Sequence, residues 1–159
     1  MKRSDIYKAL RDQAKANFPD LQYIDLEKGQ MQRRSDNYPI PLPALLIRIG
    51  AINWTSANEG LRVGIVTISL TLHEDLVTDT FDGAEMENET LLLLDKQDEL
   101  FQAFEGYAVG DFSPLTRVTD QEPKVVMRSI SFTTDFKTSI EDTQIIVRKM
   151  AKKPQLIIE

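Results

Sequence analysis

The sequence predicts an α+β fold, a mostly antiparallel sheet of about five to six strands with two helices packed on one face. Three observations carry that expectation. Residues 4–17 and 84–104 each place apolar side chains at helical spacing along one main seam, residues 61–73 alternate polar with apolar in the period of a strand, and the last β-prone runs are joined as a hairpin. A chain of 159 residues has the size of one domain. Its 42% apolar and 28% charged content keeps it away from the compositions that stay disordered.

Ser4 is placed to cap the first helix, and Ile6, Leu10, Ala14 and Phe18 follow at intervals of four on one side. Pro19 and Asp20 end it. Leu21–Leu26 has the aromatic and β-branched content of a short strand, closed by Gly29, and the polar residues 28–38 read as a mobile loop. In Pro39-Ile-Pro-Leu-Pro43 the prolines fix φ at three positions and favour an extended path. That segment could dock in an aromatic-lined groove; its simpler use is to lead into a strand over Ala44–Ile49. A loop over 53–60 then precedes the strand Leu61–His73.

In that strand Val66, Ile68, Leu70 and Leu72 turn to the core, while Thr67, Ser69, Thr71 and His73 turn outward. Leu61, Val63 and Ile65 are apolar on the outward side as well. Each such side chain contributes about 1.5–3 kcal/mol when buried, so a cover is expected here, either another loop of the chain or a neighbouring subunit.

An acidic crossing over 75–87 follows. Asp82 and Glu85 have the spacing of a capping box for a helix over 84–104, and Glu85, Glu87 and Glu89 suit the positive end of its dipole. Its seam is Thr90, Leu93, Leu94, Gln97, Leu100, Phe101 and Phe104, with Gly106 as the stop; Leu91 and Leu92 widen the stripe, which predicts a helix held on more than one side. Leu115–Thr119 and Val125–Phe136 form a hairpin about Asp120–Lys124, with Val126, Ile130, Phe132 and Phe136 on one face. The single domain is therefore expected over 1–137, leaving 138–159 as a C-terminal extension or arm. There Ile145-Ile146-Val147 and Leu156-Ile-Ile158 flank Lys149, Lys152, Lys153 and Pro154, a pattern of an arm either frayed or laid along a partner's sheet edge.

The net charge of −6 is unevenly spread: residues 1–73 and 123–159 are each +3, and residues 74–122 are −12. A stretch so acidic, including Asp75, Asp79, Asp82, Glu85 and Glu87, repels phosphate and excludes a DNA-gripping face there. It suits either a solvated surface or the lining of a passage that DNA slides through.

Chemistry finds little support. The chain has no cysteine and one histidine, which removes thiolate sites and most histidine-ligated metals. Ser69 and His73 share a strand face two ladder steps apart, too far for a nucleophile and its base, so His73 reads as a surface strand residue. The acids between Asp75 and Glu85 match no calcium loop, and the seven glycines make no phosphate-cradling motif. No catalytic residue, cofactor or metal is expected. The longest apolar runs are far below the roughly 18 residues of a membrane span and the start is not signal-like, so no membrane partner is expected and the chain reads as soluble and unexported.

The order of elements, with the apolar strand Leu61–His73, the acidic crossing, the second helix and a final hairpin ending in Ile130-Ser-Phe-Thr-Thr-Asp-Phe136, resembles the tail-terminator and tail-completion proteins of long-tailed phages and prophages, over about residues 4–137. The resemblance implies a non-enzymatic structural protein that forms a ring, usually hexameric, at the tail-tube end, stops tube growth and joins tail to head. Its partners would be copies of itself and other tail or neck proteins, with DNA passing through unbound, in the virion or in the host cytoplasm during assembly. Candidate interface residues are Leu61, Val63, Ile65, Ile145, Ile146 and Val147, and the candidate acidic lumen is Asp75, Asp79, Asp82, Glu85 and Glu87. The C-terminal extension departs from that pattern. An alternative is a cytoplasmic adaptor that binds one protein through a sheet edge or through Pro39–Pro43.

Overall fold

The computed structural model describes residues 2–58, 60–75, 83, 85, 87–110, 112–126 and 128–142. Apolar residues one turn apart give helix α1 (Arg3–Asn17) a single inward side of Ile6, Ala9, Leu10 and Ala14. It starts one residue before the expected cap, and Asp5 accepts the backbone N–H of Lys2 at 3.2 Å, where Ser4 was expected to cap. The strands are β1 (Tyr23–Leu26), β2 (Ala44–Asn58), β3 (Leu61–Asp75), β4 (Thr116–Asp120), β5 (Lys124–Val126) and β6 (Ser129–Asp142), with α2 (Glu87–Phe104) between β3 and β4.

They form one six-stranded sheet in the order β1-β2-β3-β6-β4, with β5 also on β6. Every pairing is antiparallel except β1 with β2. The period-2 pattern fixes the register, because a slip of one residue would turn each inward side chain to the other face. Leu45, Leu72 and Phe132 lie in one row across three strands, and Ile49, Ile68 and Phe136 in another. Both helices cover this face. Their Ile6, Leu10, Leu100, Phe101 and Phe104 pack with Leu70 and Phe136 in the main core, and the Phe136 ring meets those of Phe101 and Phe104 at centroid distances of 6.1 and 6.3 Å.

The opposite face has a smaller core, and here the expectation of a mobile polar loop is corrected. Gln30–Arg33 form a 3-10 turn whose Met31 is buried with Ile40, Ala44 and Leu46. Gln30 holds the turn by donating to the Leu26 carbonyl at 2.8 Å and accepting the Lys28 N–H at 2.7 Å. Ile40 is buried and Leu42 packs beside it, so the proline segment spends its apolar side chains inside its own chain. Residues 27–42 thus form a flap over one end of the sheet.

Two boundaries also differ. The expected loop 53–60 is mostly strand: β2 runs to Asn58 because its backbone pairs with β3 down to Leu61, although Asn53, Thr55 and Ser56 supply no apolar alternation. A bulge between Ile49 and Ile52 shifts the register, and Arg3 anchors it by donating to the carbonyls of Ile49 and Gly50 at 3.1 and 2.9 Å. At the other end β6 pairs with β3 as far as Asp142, so residues 138–142 belong to the sheet rather than to an extension. Residues 143–159 lie outside the described residues, as do Asp79 and Asp82.

Candidate assembly surface

Beyond the bulge, β2, β3 and β6 continue as a three-stranded arm past the helical layer. On its helix side, Trp54 lies over Gly64: a Cβ there would meet Trp54 ring carbons at 2.8 Å and Ile52 Cγ2 at 2.6 Å, so only glycine fits. Trp54 keeps 42% of its surface exposed. On the far side, Val63 sits between Thr55 and Glu141, and Ile65 between Asn53 and Ser139. Ile65 is 48% exposed, and Leu61 and Val63 are half-buried. The flap does not reach them.

The outward face of β3 therefore has three zones. At the flap end His73 is buried at 6% exposure beneath the Met31 cluster, and among the described residues neither ring nitrogen has a hydrogen-bond partner. This corrects its reading as a surface residue; the polar loop that covers it gave no burial signal. Burial lowers its pKa, reinforced by Arg34 and opposed by Glu27. In the middle, Thr71 bonds Thr133 at 2.9 Å and Ser69 donates to Asp135, a polar ladder that accounts for both hydroxyls. Then comes the apolar arm. The outer edge of β2 is paired by β1 over 44–47 only, so from Ala51 to Asn58 it has no strand partner among the described residues.

The acidic candidates divide. Asp75, exposed, approaches Arg34 at 3.7 Å. Glu85 is exposed, and nothing is described for the Glu87 side chain. Glu74, which sequence reasoning did not single out, is buried against Lys96 at 3.0 Å; burial raises its pKa and the Lys96 ammonium opposes the rise. Its position at the end of an alternating strand, facing a helix with one lysine, was the available signal. Ile145, Ile146 and Val147 fall outside the described residues. Among the described residues no group of three or more potential ligands gathers as a metal site, and no helix is long and apolar enough to cross a membrane.

No family model and no curated protein matches the sequence. Among solved structures, a chain described as "Virion of native gene transfer agent (GTA) particle" is similar over 86% of this chain and 95% of its own, at 11% identity and a TM-score of 0.50. At that identity the likeness is one of fold. A second solved structure, 14% identical over 87% of this chain and 92% of its own, reaches a TM-score of 0.43.

Proposed function

We propose that the protein is a non-enzymatic structural component of a phage-like particle, a subunit of a ring at the tail or neck that ends the tail tube and joins it to the head. The observation that carries this reading is the uncovered arm, where Leu61, Val63 and Ile65 line a strand face that nothing in the described chain seals. A monomer gains nothing from large β-formers facing water, whereas a ring subunit needs an apolar patch that meets a different patch on the next copy. The unpaired β2 edge lies beside it. Likeness of fold to a chain of a gene transfer agent virion supports a particle component over an adaptor, and burial of Ile40 removes the proline segment as a free docking ligand. The −12 stretch suits a lumen through which DNA moves without adhering.

Electron microscopy of the concentrated full chain, alone and mixed with tail tubes, tests the reading. Closed rings of one size, or rings capping tube ends, are the expected result. A chain that is monomeric at every concentration and leaves tube ends bare would overturn it.

A further inference from the structure

The exposed side of α2 carries a second uncovered apolar group. Leu91, Leu92 and Leu94 are 41%, 58% and 46% exposed, against the expectation that Leu94 lies in the seam and that the helix is held on more than one side. At 3.6 residues per turn Leu91, Leu94, Asp95 and Asp98 fall within about 100° of the helix surface, with Leu92 and Glu99 flanking them on the side away from Phe101 and Phe104. Asp98 approaches Arg117 at 3.9 Å, and Asp95 and Glu99 are exposed. Three leucines among acids on the solvent side suit a partner that is both apolar and basic.

We propose that this face of α2 receives the C-terminal segment, residues 143–159, of a second copy of the chain. The proposal rests on the ring reading and specifies one of its contacts. Charge favours it: residues 143–159 are net +3, with Arg148, Lys149, Lys152 and Lys153 between two apolar triplets, and α2 is net −4 over Glu87–Phe104. Among the described residues the arm face, with Asn53, Thr55 and Ser139 around Val63 and Ile65, offers those four cations only Glu141.

Reach makes the contact of the first triplet, Ile145–Val147, intermolecular. The described chain ends at Asp142, paired with Arg62. Lys96 of α2 is fixed to Glu74, twelve residues farther along β3, a span of about 40 Å. The leucines lie on the turns of α2 before Lys96, farther still from Asp142. Ile145–Val147 extend at most about 17 Å beyond Asp142, so this triplet cannot reach the leucines of its own subunit.

The chain has no cysteine, so introduced thiols report proximity without background. A Leu92→Cys chain and an Ile146→Cys chain, both full length, are mixed under mild oxidation while light scattering follows assembly. A disulfide heterodimer is expected at low salt, falling about tenfold at high salt as the ion pairs are screened, and falling likewise on Lys152→Glu with Lys153→Glu. Three outcomes overturn the docking while leaving the ring reading intact: an oligomer with no Leu92–Ile146 link, preferential linkage of Ile146→Cys to Ile65→Cys, or an internal disulfide in one chain carrying both Leu92→Cys and Ile146→Cys. A mixture that neither links nor assembles overturns both.

Discussion

The two halves of the β2–β3 hairpin are continuous in hydrogen bonding and opposite in burial. At the base, Ala44–Ile47 and Val66–Leu72 are covered by helices on one face, and by the flap at its far end. In the arm, residues 52–58 and 61–65 keep the same ladder yet leave Trp54 and Ile65 substantially exposed. The backbone pairing that builds a strand therefore says nothing about what its faces are for. At the base the apolar side chains stabilise the fold, and in the arm they are available to a partner.

Substitutions should separate the halves. Phe136→Ala empties a site packed by two phenylalanines and should cost about 3–5 kcal/mol, measured by chemical denaturation. Met31→Ala should cost about 2 kcal/mol, near the low end for a buried methionine because the flap can settle into the space; faster hydrogen exchange at residues 27–42 would mark its loosening. Gly64→Ala forces a methyl against Trp54 and Ile52 and should cost about 1–3 kcal/mol. A double-mutant cycle with Trp54→Ala should recover part of that loss.

The pH response sharpens the same contrast, since two of the described base residues with shifted pKa are His73 and Glu74. The His73 pKa is lowered on folding, so the unfolded chain takes up its proton first. Stability from this group is full above the ordinary histidine pKa of about 6.5 and is lost as pH falls from there toward the lowered folded value. Glu74 has the opposite sign. Its raised pKa means the folded chain binds the proton first, so its contribution improves as pH falls toward the ordinary glutamate value. His73→Leu should flatten the first limb of a stability–pH curve, and Glu74→Gln the second.

The base was largely legible in the sequence because its alternation and helical seams are strong and local. Val66, Ile68, Leu70 and Leu72 were assigned inward from their period alone, and all four are buried. The flap was not legible. Its cover depends on Met31 and Ile40, two apolar residues in polar and proline-rich surroundings, folding onto a distant strand. His73 was misplaced for the same reason. The arm was legible by half: the excess of apolar residues at 61, 63 and 65 marked an unusual face, whereas the pairing of Asn53–Asn58 is imposed by β3 and leaves no trace in composition. Ile145–Val147, Asp79 and Asp82 lie outside the described residues, and of the acidic crossing Asp75 approaches Arg34.

A ring requires that the outer face of the arm be a subunit contact. Ile65→Asp tests it more cleanly than Val63→Asp, because Val63 faces Glu141 across the ladder and a new acid there would repel within the monomer, whereas Ile65 faces Asn53 and Ser139. The monomer itself should lose about 1 kcal/mol, the span of strand propensity between isoleucine and aspartate, and stay folded. The deciding measurement is light scattering on size-separated wild-type and Ile65→Asp chains at matched concentration. A defined oligomer is expected for the wild type and a folded monomer for Ile65→Asp, through an unpaired charge placed in the contact. An Ile65→Asp chain that assembles as the wild type does would contradict the ring reading.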